Sequence, residues 1–183
     1  MRIIAGRFKG IKIHVPGKRG VRPTTERVRE ALFSTLGDTV QNSHVLELFA
    51  GSGAFGFEAL SRGAETVVFV DTDRKLTQAL SQTAALLRVE QQVQILNMDV
   101  FKALSKLSGK KVIFDIVFCD PPYGQDWIRK LLSIPWLTDI IDSEGSLILE
   151  FESKLPDCEF PAGFETRFTK KYGDTTVRIL KKK

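Results

Sequence analysis

Residues 45–62 read V-L-E-L-F-A-G-S-G-A-F-G-F-E-A-L-S-R. The stretch opens as an apolar strand (45–49), passes through three glycines and continues as a helix over 54–62. Gly51, Gly53 and Gly56 fit G-x-G-x-x-G, a spacing that brings backbone N–H groups at a helix N-terminus close to a ligand. The strand–loop–helix context gives the spacing its weight, since glycines alone are a weak signal. Downstream, strands at 66–70, 93–97, 112–119 and 146–151 alternate with helices over about 73–88, 100–107 and 126–134, and a short further helix near 136–142. That alternation predicts an α/β, Rossmann-like fold: a mostly parallel sheet with helices on both faces. Residues 165–172 and 175–181 read as two strands turned at Gly173-Asp174, adding a C-terminal antiparallel hairpin at one edge.

Upstream, residues 2–5 and 11–15 predict a small basic hairpin, followed by a Pro- and Gly-rich loop. A helix starts near Thr24. Val28, Ala31, Leu32, Thr35 and Leu36 follow helical spacing and should face inward, with Arg27 and Arg29 off that face. The organisation expected is a basic N-terminal appendage over 1–37 and a main domain over 38–183.

The 183 residues suit one core, and 43% hydrophobic with 27% charged residues is ordinary for a globular chain. No apolar run could span a bilayer, no secretory signal is evident, and two cysteines make no disulfide framework, so a cytoplasmic protein is expected. The net charge of +5 is unevenly spread. Residues 1–30 hold nine Lys/Arg against two Glu, 31–164 hold eleven basic against eighteen acidic side chains, and 165–183 hold seven against two. Basic ends around an acidic middle suggest a polyanion at the termini and a different ligand in the middle. Basic termini that merely solvate the chain, or lysines guarding a sheet edge, are the plainer explanation.

Acids mark successive strand ends. Asp71 closes the second strand of the main domain, where a carboxylate can accept ribose hydroxyls; Asp99 follows the third. Either could instead cap the next helix. Glu47 lies just before the glycine loop, where it would repel a pyrophosphate but attract an ammonium. Between the nucleoside ligands considered, NAD and S-adenosylmethionine (SAM), it favours SAM. The fourth strand ends in C-D-P-P-Y-G (119–124). Pro121 and Pro122 stop the ladder and fix Asp120 and Tyr123 relative to each other at the ligand-binding end of the sheet.

With these marks together, the chain resembles SAM-dependent amino-methyltransferases, and more closely the bacterial 16S ribosomal RNA guanine-N2 methyltransferase family (RsmD-like). The matching stretches are R-I-I-A-G-R-F-K-G at 2–10, R-P-T-T-E-R-V-R-E-A-L-F at 22–33, L-F-A-G-S-G-A-F-G-F-E-A-L-S-R-G-A at 48–64, D-P-P-Y at 120–123 and K-Y-G-D-T at 171–175. They cover nearly the whole chain. D-P-P-Y is shared with adenine-N6, cytosine-N4 and glutamine-amide enzymes; the N-terminal blocks are more specific. Departures are Glu47 where the family often has Asp, and Phe55 and Phe57 where Leu is common.

The resemblance implies SAM as cofactor, S-adenosylhomocysteine (SAH) as product, and 16S rRNA as partner, within a small ribosomal subunit or an assembly intermediate; a monomer is the default. It also implies roles. Asp120 and the Pro121 carbonyl would hold the guanine amine, with Pro122 stiffening the turn and Tyr123 stacking on the flipped base. Gly51 and Gly53 would pass the methionine part, Glu47 would orient its ammonium, Asp71 would bind ribose, Asp99 the adenine amine, and Val100 would line the adenine pocket. RNA phosphates would meet Arg2, Arg7, Lys9, Lys12, Arg19, Arg22, Thr24, Arg27, Lys170 and Lys171. No metal is implied: Cys119 and Cys158 lack metal-site spacing, and His14 and His44 read as surface residues. Trp127 and Trp136 read as helix packing rather than base stacking. The alternatives are an adenine-N6 or other exocyclic-amine nucleic-acid methyltransferase, an NAD oxidoreductase in which D-P-P-Y would have no role, and an inactive RNA-binding protein.

Overall fold

The computed structural model describes residues 1–14, 26–124, 126–154 and 162–183. Strands β1 (His44–Leu48), β2 (Thr66–Asp71), β3 (Val93–Asn97), β4 (Phe114–Cys119) and β5 (Ile141–Glu152) are parallel. The hairpin β6 (Phe164–Tyr172) and β7 (Thr175–Lys182) completes a seven-stranded sheet ordered β3-β2-β1-β4-β5-β7-β6, with β7 antiparallel to both neighbours. The order reverses between β1 and β4, so the loops leaving these two strands part and open a crevice at their C-terminal ends.

The central strands are apolar on both faces because helices cover both. Helices α1 (Glu26–Leu36), α2 (Ala54–Ser61) and α3 (Arg74–Leu87) bury Leu32, Phe57 and Leu80 against Val45, Val67 and Ile116. Helices α4 (Val100–Gly109) and α5 (Trp127–Leu132) bury Leu104 and Leu131 against Leu46, Val68 and Val117. Side chains one residue apart on a strand thus enter opposite layers, as the pleat requires. Asp73 caps α3 by accepting from the Lys75 N–H at 2.7 Å, and Asp99 caps α4.

Three sequence expectations need correction. Residues 135–140 form 3-10 turns, and Ile141 begins β5, which pairs with Phe114 before a bulge restores register at Ile116 and Ser146. The polar D-S-E-G (142–145) sits in that bulge and masks the longer strand. Arg29 is buried, not off the inward face. The N-terminal segment gives α1 a second neighbour: Arg29 donates to the Arg2 carbonyl at 2.7 Å and stands 3.7 Å from Glu58. Thr35, expected inward, is exposed.

The N-terminal hairpin is short: Arg2 and Lys12 form its one bridge, the Ile3, Gly10 and Ile13 N–H groups donate to the Ile11, Ile3 and Met1 carbonyls across it, and beyond Ile3 the backbone donors turn to α2. The N–H groups of Ile4 and Ala5 go to the two Glu58 oxygens at 2.7 and 3.0 Å, and the Arg7 N–H to the Ser61 carbonyl at 2.8 Å. Ile3 and Ile13 enter the same apolar cluster as α1 and α2, so the N-terminal segment shares the main domain's core. Gly6 makes the close approach possible. It has φ +79°, and a Cβ there would stand 1.8 Å from the Ser61 carbonyl oxygen.

Candidate active site

The crevice is built from the loop after β1 and the turn after β4. Leu48 and Cys119 are register partners, so Phe49 and Asp120 leave the sheet side by side. Phe49 has φ 53°, a left-handed conformation rare for a bulky residue, and Gly51 and Gly53 follow with φ 55° and 71°. The three glycines differ in what surrounds them. A Cβ on Gly53 would meet Leu80 at 2.5 Å, and one on Gly56 would meet Phe69 at 2.5 Å, so both serve packing of α2. A Cβ on Gly51 would meet nothing nearer than the Phe49 carbonyl oxygen at 3.9 Å, so its free side is open.

The acids hold this loop. Asp71 accepts from the Gly51 N–H through one oxygen and from the Asp73 N–H through the other, at 2.7 and 2.8 Å. A carboxylate has about four acceptor sites, so each oxygen can still take a hydroxyl. Glu47 is buried on the α2 side and accepts from the N–H groups of Phe55 and Gly56 at 3.3 and 2.7 Å. Burial pushes its carboxyl up to about 8, against the pull of those two donors. Its burial, rather than a lack of acceptor sites, keeps the carboxylate away from direct contact with a ligand in the crevice. Asp99 uses one oxygen for both the Phe101 and Lys102 N–H groups, and its other oxygen takes neither. Val100, the first residue of α4, is buried next to it.

On the β4 side Asp120 is half-buried, Pro121 buried and Pro122 exposed. Tyr123 is 40% exposed, and its hydroxyl bonds that of Thr175, the first residue of β7. The β6–β7 turn is held in place by the Ser153 N–H, which donates to the Asp174 carbonyl at 2.8 Å. K-Y-G-D-T thus reaches D-P-P-Y through the sheet. Pro121, Pro122, Tyr123, Trp127, Phe151 and Glu152 line a cavity of about 350 Å³, within the range of small-ligand sites. Trp127 packs between Phe49 and Phe101, with ring centroids 5.4 and 5.9 Å away, so the expectation of packing holds, yet the indole also walls the cavity. Trp136 is 39% exposed. Cys119 is buried, its thiol pushed up by burial, and His14 and His44 are exposed.

The structure divides the basic residues expected at RNA. Arg2 pairs with Glu26 at the start of α1, and Met1 lies between Arg29 and Ser52 of the glycine loop. Arg2 thus follows a residue that touches the glycine loop; Lys12 is its bridge partner, and Arg27 is next to Glu26 in α1. Lys170 and Lys171 sit on β6 opposite Val177 and Thr176, at its end near Thr175. Arg7 instead donates to Gln92 at 2.6 Å, just before β3 begins, and so lies at the opposite end of the sheet with Lys9 on the same turn. Arg19, Arg22, Thr24 and Cys158 lie outside the described residues. Sequence reasoning gives no role to Thr175, Glu152, Arg29 or Glu58. The K-Y-G-D-T match is the one available pointer to the first. Among the described residues no cluster of His, Cys, Asp and Glu suits a metal ion, and no helix is long and apolar enough to cross a membrane.

A family model described as conserved hypothetical protein 95 matches residues 1–181. The putative rRNA methyltransferase YlbH of Bacillus subtilis (strain 168) is 32% identical over 183 residues, covering all of both chains. The ribosomal RNA small subunit methyltransferase D of Escherichia coli (strain K12) is 33% identical over 186 residues, covering all of this chain and 90% of the relative. Among solved structures, the putative methyltransferase yhhF from Escherichia coli gives a TM-score of 0.85 at 34% identity, covering 100% of this chain and 98% of that one. SMU.776, a putative methyltransferase complexed with SAH, gives 0.69 at 16% identity over 88% of this chain and 50% of that one, and so shares the fold.

Proposed function

The chain belongs to the ribosomal RNA small subunit methyltransferase D family, described also as conserved hypothetical protein 95, and from that premise we propose that it transfers a methyl group from SAM to the N2 amine of a guanine in 16S rRNA. The observation that carries this reading is the D-P-P-Y turn standing beside the glycine loop where the strand order reverses.

The residues present fit the cofactor. The open side of Gly51 admits a ligand against the backbone, Asp71 keeps acceptor sites for a ribose diol, and Asp99 has an oxygen for an adenine amine. Glu47 acts through the loop, holding the first turn of α2 and thereby Gly51 and Gly53. Bound SAM supplies an electrophilic methyl on a sulfonium. Everything else is done by the chain. A guanine N2 amine is a poor nucleophile because its lone pair is delocalised into the ring. Asp120 and the Pro121 carbonyl accept its two N–H bonds, fix the nitrogen and let it pyramidalise, and orientation of this kind is a large part of such catalysis. The Asp120 charge offsets the positive charge that develops on nitrogen. Pro122 keeps the turn stiff, and the exposed Tyr123 ring, tethered by Thr175, offers the extruded base a stacking face. Arg2, Lys12, Arg27, Lys170 and Lys171 would hold phosphates around the mouth. The same reading takes the small subunit or an assembly intermediate as partner, the cytoplasm as location and a monomer as the working form.

The test is transfer from labelled SAM to small subunits lacking endogenous modification, with the product nucleoside identified by mass. N2-methylguanosine is expected. N6-methyladenosine would keep the chemistry of D-P-P-Y and overturn the substrate.

A further inference from the structure

Asp120 and the Pro121 carbonyl would accept two N–H bonds from any exocyclic amine, so they cannot tell guanine from adenine or cytosine. The difference lies one atom away. Beside its N2 amine guanine carries a donor, N1–H. Beside their amines adenine and cytosine carry acceptors, N1 and N3. A second acceptor aimed at that atom would select guanine and repel the other two.

The cavity walled by Pro121, Pro122 and Tyr123, directly after Asp120, has such a group. Glu152 ends β5 and lines the cavity with Pro121, Pro122 and Tyr123. Cys119 pairs with Leu149, which puts Asp120 level with Glu150, and Glu152 lies two residues further on the same face of the sheet. Across β5–β7, Glu152 is the register partner of Thr175, whose hydroxyl holds Tyr123. The carboxylate is thus tied to the stacking ring and the amine-binding turn through one strand end. Asp126, the other acid of the cavity wall, is paired with Arg129 at 3.5 Å, whereas among the described residues no cation pairs with Glu152. Two carboxylates facing a polyanionic substrate are unfavourable unless each meets donors on the base, which guanine's N2 and N1 supply together.

We infer that Glu152 is the residue that specifies guanine, its carboxylate accepting the N1–H while Asp120 and Pro121 hold the N2 amine. This rests on the methyltransferase reading above. The experiment uses the full chain and small-subunit RNA carrying either guanosine or 2-aminopurine riboside at the target. The latter keeps an N2 amine but has an acceptor at N1. Wild-type protein is expected to prefer guanosine at least tenfold in kcat/KM. Glu152→Gln, whose amide can also donate, should lose at least tenfold on guanosine and narrow or reverse the preference, while SAM affinity and Tm stay unchanged. Glu152→Asp should retain the preference for guanosine. An unchanged guanosine to 2-aminopurine ratio in Glu152→Gln, with wild type producing N2-methylguanosine, overturns the role of Glu152 alone. Wild type producing N6-methyladenosine, or no transfer, overturns the reading and this inference with it.

Discussion

At the scale of single residues, the site separates chemistry from support. Asp120 stands where a substrate amine would be held, so Asp120→Ala should leave the fold and SAM binding intact and lower transfer at least about a hundredfold, the loss typical when one preorganised electrostatic partner is removed. Transfer near wild-type level in that variant would sink the catalytic assignment. Glu47 supports from below. Its carboxyl lies at about 8 in the folded chain against an ordinary 4.5, so the native state holds the proton more tightly than the unfolded one. Its contribution to stability is therefore fully present below about pH 4.5 and lost as pH rises through about 8. Glu47→Gln removes that slope and can keep the stronger bond, from the Gly56 N–H. Thermal unfolding of the two proteins at pH 5, 6.5 and 8 should show the variant gaining on wild type as pH rises, by about 2–4 °C for each kcal/mol involved in a chain of this size. Parallel curves would mean that the two backbone donors keep Glu47 ionised throughout. The roles of Asp71 and Asp99 are open between helix cap and ligand group from sequence alone. The structure shows Asp99 capping α4 with one oxygen, so capping and ligand binding are compatible in one carboxylate.

At the scale of elements, α2 is the hub. Its N-terminus carries the glycine loop, and its C-terminal half carries Glu58 and Ser61, which seize the N-terminal segment. Glu58 is fully buried and meets four partners: the Ile4 and Ala5 N–H groups, Arg62 at 2.8 Å and Arg29 at 3.7 Å. Burial lowers the Arg29 pKa and Glu58 opposes that drop, so the two charges are mutually dependent. Removing one side of a buried pair generally costs about 3–5 kcal/mol because the other is stranded. Glu58→Ala should lose that much in urea unfolding, and limited proteolysis should cut it within residues 1–14, where wild type resists. A variant as stable as wild type would show the pair to be dispensable. Little of this hub is legible in the sequence. Strands and most helices can be read because apolar runs and helical spacing are local. Periodicity puts Arg29 on the wrong face because its partners, Met1, Arg2 and Glu58, are 28, 27 and 29 residues away and no local spacing reports them. The tie between Tyr123 and Thr175 is hidden for the same reason: it exists only because β7 inserts beside β5, and antiparallel insertion leaves no mark in either segment. D-P-P-Y and the glycine loop are legible because proline and glycine act on their own backbone, within the motif.

At the scale of the whole molecule, the uneven charge acquires a geometry. The basic ends of the chain seen in sequence do not form one surface. Arg2 adjoins Met1, which touches the glycine loop at Ser52, and is bridged to Lys12, while Lys170 and Lys171 stand on the edge strand β6 at its end near Thr175. Arg7 is held by Gln92 at the far end, roughly 20 Å away if a six-residue strand such as β2 separates the two levels. With screening over about 8 Å in physiological salt, charges so far apart act on separate stretches of RNA. Reversing Lys170 and Lys171 together to Glu should therefore weaken binding to small-subunit RNA and flatten its dependence on salt, by about one unit of slope for each phosphate no longer neutralised, with SAM affinity unchanged. Reversing Arg7 and Lys9 should have the smaller effect on binding, and its main consequence should be on stability, since Arg7 bridges the N-terminal arm to the start of β3. Titrations of both variants at two salt concentrations, alongside thermal unfolding, separate these outcomes. If the Arg7 and Lys9 variant loses as much salt-dependent affinity as the Lys170 and Lys171 variant, the RNA path extends down the α2 side to the opposite end of the sheet, and the N-terminal segment is itself a binding arm as well as a part of the core.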